Sequence, residues 1–131
     1  MGYIIDTDIC IDFLKEKEYA VKLLSEILNN EDYYISILTH YELLKSAFSQ
    51  KQQNIIQNFV ELLEIINLDE DIIESGAEFY RKYRKKGITL SNIDCLIMAT
   101  AKEKNLKIVT RNVKHYPEVD LLSKFSQKLL K

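Results

Sequence analysis

A chain of 131 residues has the length of one domain, and 47% hydrophobic with 29% charged residues is ordinary for a soluble globular protein. No apolar run approaches the roughly 20 residues that cross a bilayer, and no basic n-region with an apolar h-region opens the chain, so the expectation is a cytoplasmic protein with no membrane partner. A net charge of −2 names no partner, while Cys10 and Cys95 are too few for a disulfide framework and form no CxxC zinc pair, reading instead as small buried apolar residues.

In chain order, "YIID" (3–6) reads as a strand that stops at Asp6. Asp8 and Asp12 follow at once in a helical stretch, "ICIDFL", which Asp6 or Asp8 would cap. "KLLSEILNN" (22–30) has apolar residues at helical spacing and an Asn-Asn stop. "YYISIL" (33–38) is the second strand, followed by helices over 41–48 and 52–64; in the latter, Ile55, Ile56, Phe59, Val60, Leu62 and Leu63 make one broad apolar stripe. "EIINL" (64–68) is the third strand. The helix predicted over 69–87 begins with three acids and ends with five cations and Gly87, a charge order that suits the helix dipole. "NIDCLIMATAKEK" (92–104) is a helix, "LKIVT" (106–110) the fourth strand, and "EVDLL" (118–122) a weaker fifth.

The strands are nearly continuous apolar runs, as expected where both faces of a sheet are covered. Their alternation with helices predicts an α/β fold: a three-layer α/β/α sandwich around a central, mostly parallel sheet of four or five strands, as one domain over residues 1–131. In such sheets ligands bind beyond the carboxyl ends of the strands.

Three acids belong at that edge. Asp6 ends the first strand, Glu42 follows the second, and Asp94 lies in the first turn of the helix before the last strand. Each also has a structural explanation: "THYE" (39–42) and "SNID" (91–94) match capping boxes built on Thr39 and Ser91. If the three converge, their repulsion calls for a cation. With only His40 and His115 as imidazoles, the ligands are oxygens, which select Mg2+ or Mn2+, ions suited to phosphoryl chemistry.

"IIDTDICIDFL", "THYELLKSA", "LSNIDCLIMATA" and "LKIVTRNVKHYPEV", in this order and spacing, resemble the successive motifs of PIN-domain ribonucleases, above all VapC-type toxins of toxin–antitoxin pairs. The resemblance covers nearly the whole chain. It implies a metal-dependent endoribonuclease of PIN-like fold in which Asp6, Glu42 and Asp94 bind Mg2+ or Mn2+. A metal-activated water would hydrolyse RNA phosphodiester bonds, leaving 5′-phosphate and 3′-hydroxyl ends. Thr7 is similar to the hydroxyl residue that accompanies the first acid, and Thr110 to a supporting residue at the last strand exit. Many members of the family carry a fourth acid after this strand, where the chain has Asn112 and His115; the chain departs from the family pattern there, and either residue is a candidate to assist. Asp8 reads as a helix cap.

The resemblance further implies a cognate antitoxin that inserts a basic or helical segment across the cleft. Apolar residues of helices 22–30 and 41–64 are candidates for that contact and for a homodimer. Acids dominate residues 1–79, whereas residues 80–115 hold Asp94 and Glu103 among many cations, a balance that suits a polyanion beside a metal site. Arg111 and Lys114 lie after the last strand, at the edge where a scissile phosphate would sit. "YRKYRKKG" (80–87) reads equally as an RNA grip with stacking rings or as a helix end with tyrosines turned inward. The competing reading is a PIN-like module that binds RNA or protein and cleaves weakly or not at all. A receiver-like signalling domain, with Asp69 as its acid and Lys114 as its cation, leaves the "DCLIMATA" helix without a role.

Overall fold

The computed structural model describes residues 2–30 and 32–130. Four parallel strands, β1 (Gly2–Ile5), β2 (Asp32–Ser36), β3 (Glu64–Ile66) and β4 (Leu106–Val109), lie in the order β3-β2-β1-β4. Ile4 pairs with Tyr34 on one side and Ile108 on the other, so β1 is flanked by strands on both edges. The chain winds outward from β1 through β2 to β3, then returns to place β4 on the opposite flank.

Successive residues of each strand feed two separate cores, which is why the strand sequences are apolar without alternating. Ile4 and Ile108 pack with Ile72, Phe79, Ile97 and Met98, beneath α5 (Glu70–Lys85) and α6 (Asn92–Glu103). Ile5, Ile35 and Val109 pack the other way, against α1 (Thr7–Leu14), α2 (Glu18–Asn30), α3 (Ile37–Lys45) and α4 (Gln50–Glu61). The predicted three-layer α/β/α sandwich is therefore the fold. The α5–α6 contact is close at Gly76, where an added Cβ would meet Leu96 Cδ2 at 2.9 Å.

Local signals set most helix ends. Ser49 and Gln52 form a reciprocal capping box at the start of α4. Asp69 accepts from Ile72 N at 2.9 Å and caps α5, while Gly87 adopts φ +80 just beyond that helix, a conformation open to glycine. Asp69 also pairs with Lys104 at 2.8 Å, so it is a helix cap and a surface ion pair and has no part in a receiver-like acid site. Cys10 and Cys95 are buried thiols, as expected.

Two expectations change. The strand predicted over 33–38 ends at Ser36, whose hydroxyl accepts from Leu38 N at 3.0 Å; Ile37 and Leu38 leave the sheet as the first turn of α3. That cap displaces Thr39, which the "THYE" reading had placed at the helix start; Thr39 instead lies inside the first turns and is fully buried. The fifth strand over 118–122 is a 3-10 turn (Val119–Leu121) with a single parallel bridge between Ile108 and Leu122. Ser123 N donates to Ile108 O at 2.9 Å, and the chain then turns into the short α7 (Lys124–Lys128), capped by Ser123, before a ladder can form.

Of the two stretches expected to expose apolar residues, only one does. In α2, Leu24 and Ile27 are buried against the sheet. Along 41–64, Tyr41, Phe48, Ile55 and Leu62 face outward, with Phe48 at 91% exposure.

Burial sets the energetic weight of each position. Ile97 is fully buried between α6 and the sheet, so Ile97→Ala is expected to lower the unfolding free energy by about 3 kcal/mol in urea titration. The same measurement on Phe48→Ser is expected to move stability by less than about 0.5 kcal/mol.

Candidate metal centre and active-site cleft

The cleft opens at the carboxyl edge of the sheet, over β1, where the winding direction of the chain reverses. It has a volume of about 570 Å3, and its walls include Asp6, Thr7, Asp8, Glu42, Asp94, Asn112, Lys114 and His115. The opposite wall is the Ile88–Ser91 connection between α5 and α6.

Asp6 is the N-cap of α1, so the residue that ends the strand also starts the helix. Its Oδ1 accepts from Thr7 N and its Oδ2 from Thr110 Oγ1, both at 2.8 Å. The residue as a whole is 8% exposed. Burial, reinforced by the charge of Asp8, pushes its pKa up to about 6 against the pull of the Thr110 and Thr7 hydrogen bonds.

Glu42 is tied to the same turn: Thr7 Oγ1 donates to Glu42 Oε1 at 2.6 Å, and the buried Thr39 hydroxyl stands 3.1 Å from that of Thr7. Asp94 enters from the third side. Ser91 Oγ caps α6 by accepting from Asp94 N at 3.0 Å, and the Asp94 carboxylate faces His115 Nδ1 at 3.5 Å. Half of the "SNID" capping reading therefore holds, for the serine. The acid is turned to the cleft. Tyr116 registers both sides of the arrangement: burial, and then the charges of Asp6 and Asp94, push its phenol well above the ordinary range.

The strap after β4 carries Asn112, Lys114 and His115 into the cleft. Asp8 Oδ2 accepts from Arg111 N at 2.8 Å and Asn112 N at 3.1 Å, so Asp8 fastens this strap in addition to bonding Ile9 N. Arg111, expected to meet substrate, is turned away. Its Nε donates to Asp12 Oδ2 at 3.0 Å, and its side chain is not part of the cleft wall. Three supporting residues escaped the sequence reading. Ser126 Oγ accepts from Thr110 N at 2.8 Å and lies 2.9 Å from Thr110 O, a contact no local pattern announces. Tyr19 and Asp12 bond one another and help anchor the strap. The four-residue spacing of Asp8 and Asp12, which places both on one helix face, was the available signal for Asp12.

In the basic stretch, the two tyrosines part company: Tyr83 is buried, with its hydroxyl on Glu118, and Tyr80 is exposed. Arg84 Nη1 donates at 3.1 Å to Thr89 Oγ1 on the far cleft wall.

The donor set tests which ion the cleft fits. Asp6, Glu42 and Asp94 offer oxygen alone, and Asp6 is a buried acid whose ionised form a cation would favour. Among the described residues, no three His, Cys, Asp or Glu side chains stand close enough together to hold a metal ion between them as they lie. Separate carboxylates around an open cleft suit Mg2+, which keeps several of its waters and takes one or two protein carboxylates directly; they do not suit an ion that needs a closed protein cage.

The PIN domain profile matches residues 3–120. The chain belongs to the PIN-domain family. This PIN domain is 32% identical over 126 residues to Ribonuclease VapC1 of Methanocaldococcus jannaschii, covering 96% of this chain and 85% of that one. It is also 32% identical to Ribonuclease VapC19 of Mycobacterium tuberculosis over 115 residues, 87% of this chain and 91% of that one. Among solved structures it is similar to VapBC2 from Rickettsia felis bound to a promoter DNA fragment, with a TM-score of 0.81, 26% identity, and coverage of 93% and 96%. It is similar as well to VapBC-1 from nontypeable Haemophilus influenzae, with a TM-score of 0.80, 27% identity, and coverage of 94% and 96%. No helix among the described residues of this PIN domain is long and apolar enough to cross a membrane.

The raised Asp6 pKa has a sign that stability measurements read directly. An acid that holds its proton more tightly when folded makes unfolding easier as pH rises from about 4 to about 6. Asp6→Asn removes the buried charge; its Oδ1 can still accept from Thr7 N, while its Nδ2 would donate to Thr110 Oγ1 in place of the bond the carboxylate accepted. The variant is expected to melt higher than the parent at pH 7.5, by about 2 to 3 kcal/mol in stability, and the gap should shrink to roughly a third of that at pH 4.5. Calorimetry at the two pH values checks this; an unchanged or reversed gap contradicts the buried-charge account.

Proposed function

We propose that this PIN domain is the Mg2+- or Mn2+-dependent endoribonuclease toxin of a toxin–antitoxin pair, acting in the cytoplasm. The observation that carries the reading is the shared cleft of Asp6, Glu42 and Asp94 at the carboxyl edge of β1, in a chain of this family. The three acids would hold the ion, directly or through the waters it keeps. Bound there, it would offset charge developing on the phosphodiester and make water a competent nucleophile at neutral pH.

The chain's own residues prepare that chemistry. Thr110 and Thr7 N fix both oxygens of Asp6, and Thr7 Oγ1 fixes Glu42, so neither carboxylate has to reorient when a charge arrives. Lys114 is the cation on the strap wall and would bind the scissile phosphate. Asn112 offers an uncharged amide where a fourth acid would repel that phosphate. His115, whose Nδ1 lies 3.5 Å from Asp94, would hold or pass a proton at the leaving oxygen. Beyond the opposite wall, Arg81, Arg84 and Lys85 are exposed at the end of α5, where they would grip the RNA backbone leaving the cleft.

A cognate antitoxin is the partner. Relatives are solved as VapBC complexes, and this chain shows an apolar hollow between α1, α3 and α4, lined by Ile11, Leu14, Leu43, Ile55 and Ile56, with Phe48 exposed on the connection between α3 and α4 and Leu62 exposed just past the end of α4. The same exposed side chains are the candidates for a homodimer.

Purified protein incubated with single-stranded RNA is expected to cleave it only with Mg2+ or Mn2+ present, and EDTA should stop the reaction. Asp6→Asn and Asp94→Asn should each lower the cleavage rate by at least about 100-fold while the protein stays folded. RNA that is bound but left intact in the presence of Mg2+ would favour the non-cleaving module.

A further inference from the structure

Besides Asp6, the described residues contain one other buried carboxylate, Asp12, at 2% exposure, and the cleavage chemistry above does not use it. It sits four residues after Asp8 on the same face of α1 and is fully committed to partners. Its Oδ2 accepts from the Tyr19 hydroxyl and from Arg111 Nε at 3.0 Å, and its Oδ1 faces Lys17 Nζ at 3.3 Å. One carboxylate thereby joins α1, the start of α2 and the strap that follows β4.

Val113 and Tyr116 anchor the far part of the strap in the core, and Asn112 N also reaches Thr110 Oγ1 at 3.0 Å, so what remains to be held is the start of the strap at Arg111. Residues 111–116 run from the end of β4 through a 3-10 turn at Val113–His115, outside the ladder of the sheet. Asp8 holds the backbone at Arg111 and Asn112, and Asp12 holds the Arg111 side chain. The two acids therefore grip neighbouring points from a single helix. Between them they orient the stretch whose next side chains, Asn112, Lys114 and His115, form a wall of the cleft. Arg111 is half-exposed at 50%, so screening weakens its attraction at long range, but its partner is shielded and the hydrogen bond has defined geometry.

We infer that the Arg111–Asp12 pair is a positioning latch for RNA cleavage, one that sets Asn112 and Lys114 against the scissile phosphate without itself touching RNA. This rests on the nuclease reading and adds to it a use for two residues with no place in the metal centre. It also separates two neighbouring cations by role: Lys114 binds substrate and Arg111 holds the strap.

The test compares the parent with Arg111→Gln, Asp12→Asn and the double variant, using steady-state cleavage of a single-stranded RNA with Mg2+ and amide hydrogen exchange along the strap. Each single change is expected to raise KM about tenfold with a smaller effect on kcat. The double variant should be no worse than the worse single, because both remove the same contact. Exchange at Asn112 through His115 should accelerate while β1 stays protected. Arg111→Gln removes a half-exposed side chain, so it keeps the test usable if Asp12→Asn fails to fold. Additive losses in KM would make Arg111 a direct RNA contact and overturn the latch. A lowered melting temperature with unchanged KM and unchanged strap exchange would reduce the pair to a structural contact and overturn it too, leaving the nuclease reading intact. A parent protein that cleaves no RNA would remove the nuclease reading, and the latch's catalytic role with it.

Discussion

The structure turns on a carboxylate kept in a place where its charge is unwelcome. Asp6 ends β1, is covered on nearly every side, and has the charge of Asp8 close by. Left to solvation alone, such a group holds its proton to higher pH. Two hydrogen bonds, from Thr7 N and Thr110 Oγ1, fix its direction without cancelling its charge. The result is a buried acid that costs stability, the arrangement expected where binding and chemistry take precedence over the lowest-energy fold.

A single helix organises most of what surrounds it. The first two turns of α1 supply Asp6 as cap, Thr7 to orient Glu42, Asp8 to hold the strap backbone, and Asp12 to hold Arg111. A glycine-rich turn at this position would present backbone N–H groups to a phosphate. An acidic turn uses those groups on its own carboxylates and leaves the cleft negative. The parallel sheet supplies the rest: β1 has strands on both flanks, so Asp6 meets residues from the β4 exit and, through Thr7, from the helix after β2.

Local chemistry and tertiary contact also divide the acids differently. Asp69 and Asp6 are both helix N-caps. Asp69 lies exposed and finds Lys104, and that lysine and the cap bond to Ile72 N hold its pKa below the usual range. Asp6 lies buried beside another acid and moves the opposite way. The same residue in the same local role becomes a surface ion pair in one case and a candidate metal ligand in the other. Neighbours brought by the fold, and not the helix start, make the difference.

Much of this was legible in the chain itself. Continuous apolar runs separated by amphipathic helices specify a covered parallel sheet, since both faces of every strand must be buried, and the charge order of residues 69–87 specifies that helix and its ends. Asp6 and Asp94 could be picked out because a strand exit and a first helical turn are local features; Glu42 was picked from its place after the second strand, although the structure sets it beyond the first turn of α3. Whether Thr39 or Ser36 would cap α3 could not be read, because either hydroxyl satisfies the local rule; packing of Ile35 and Leu43 into one core places the helix start at Ser36. The partners of Arg111 and Thr110 lay equally out of reach. Asp12 is 99 residues from Arg111 and Ser126 is 16 from Thr110, and which donor meets which acceptor across such separations follows from how strands, helices and strap pack in three dimensions. The sequence alone determined the elements, the sheet and the acids at its edge, because those depend on short-range patterns of burial and charge; only the tertiary structure decided which of those charges face the cleft and which are spent holding it in shape.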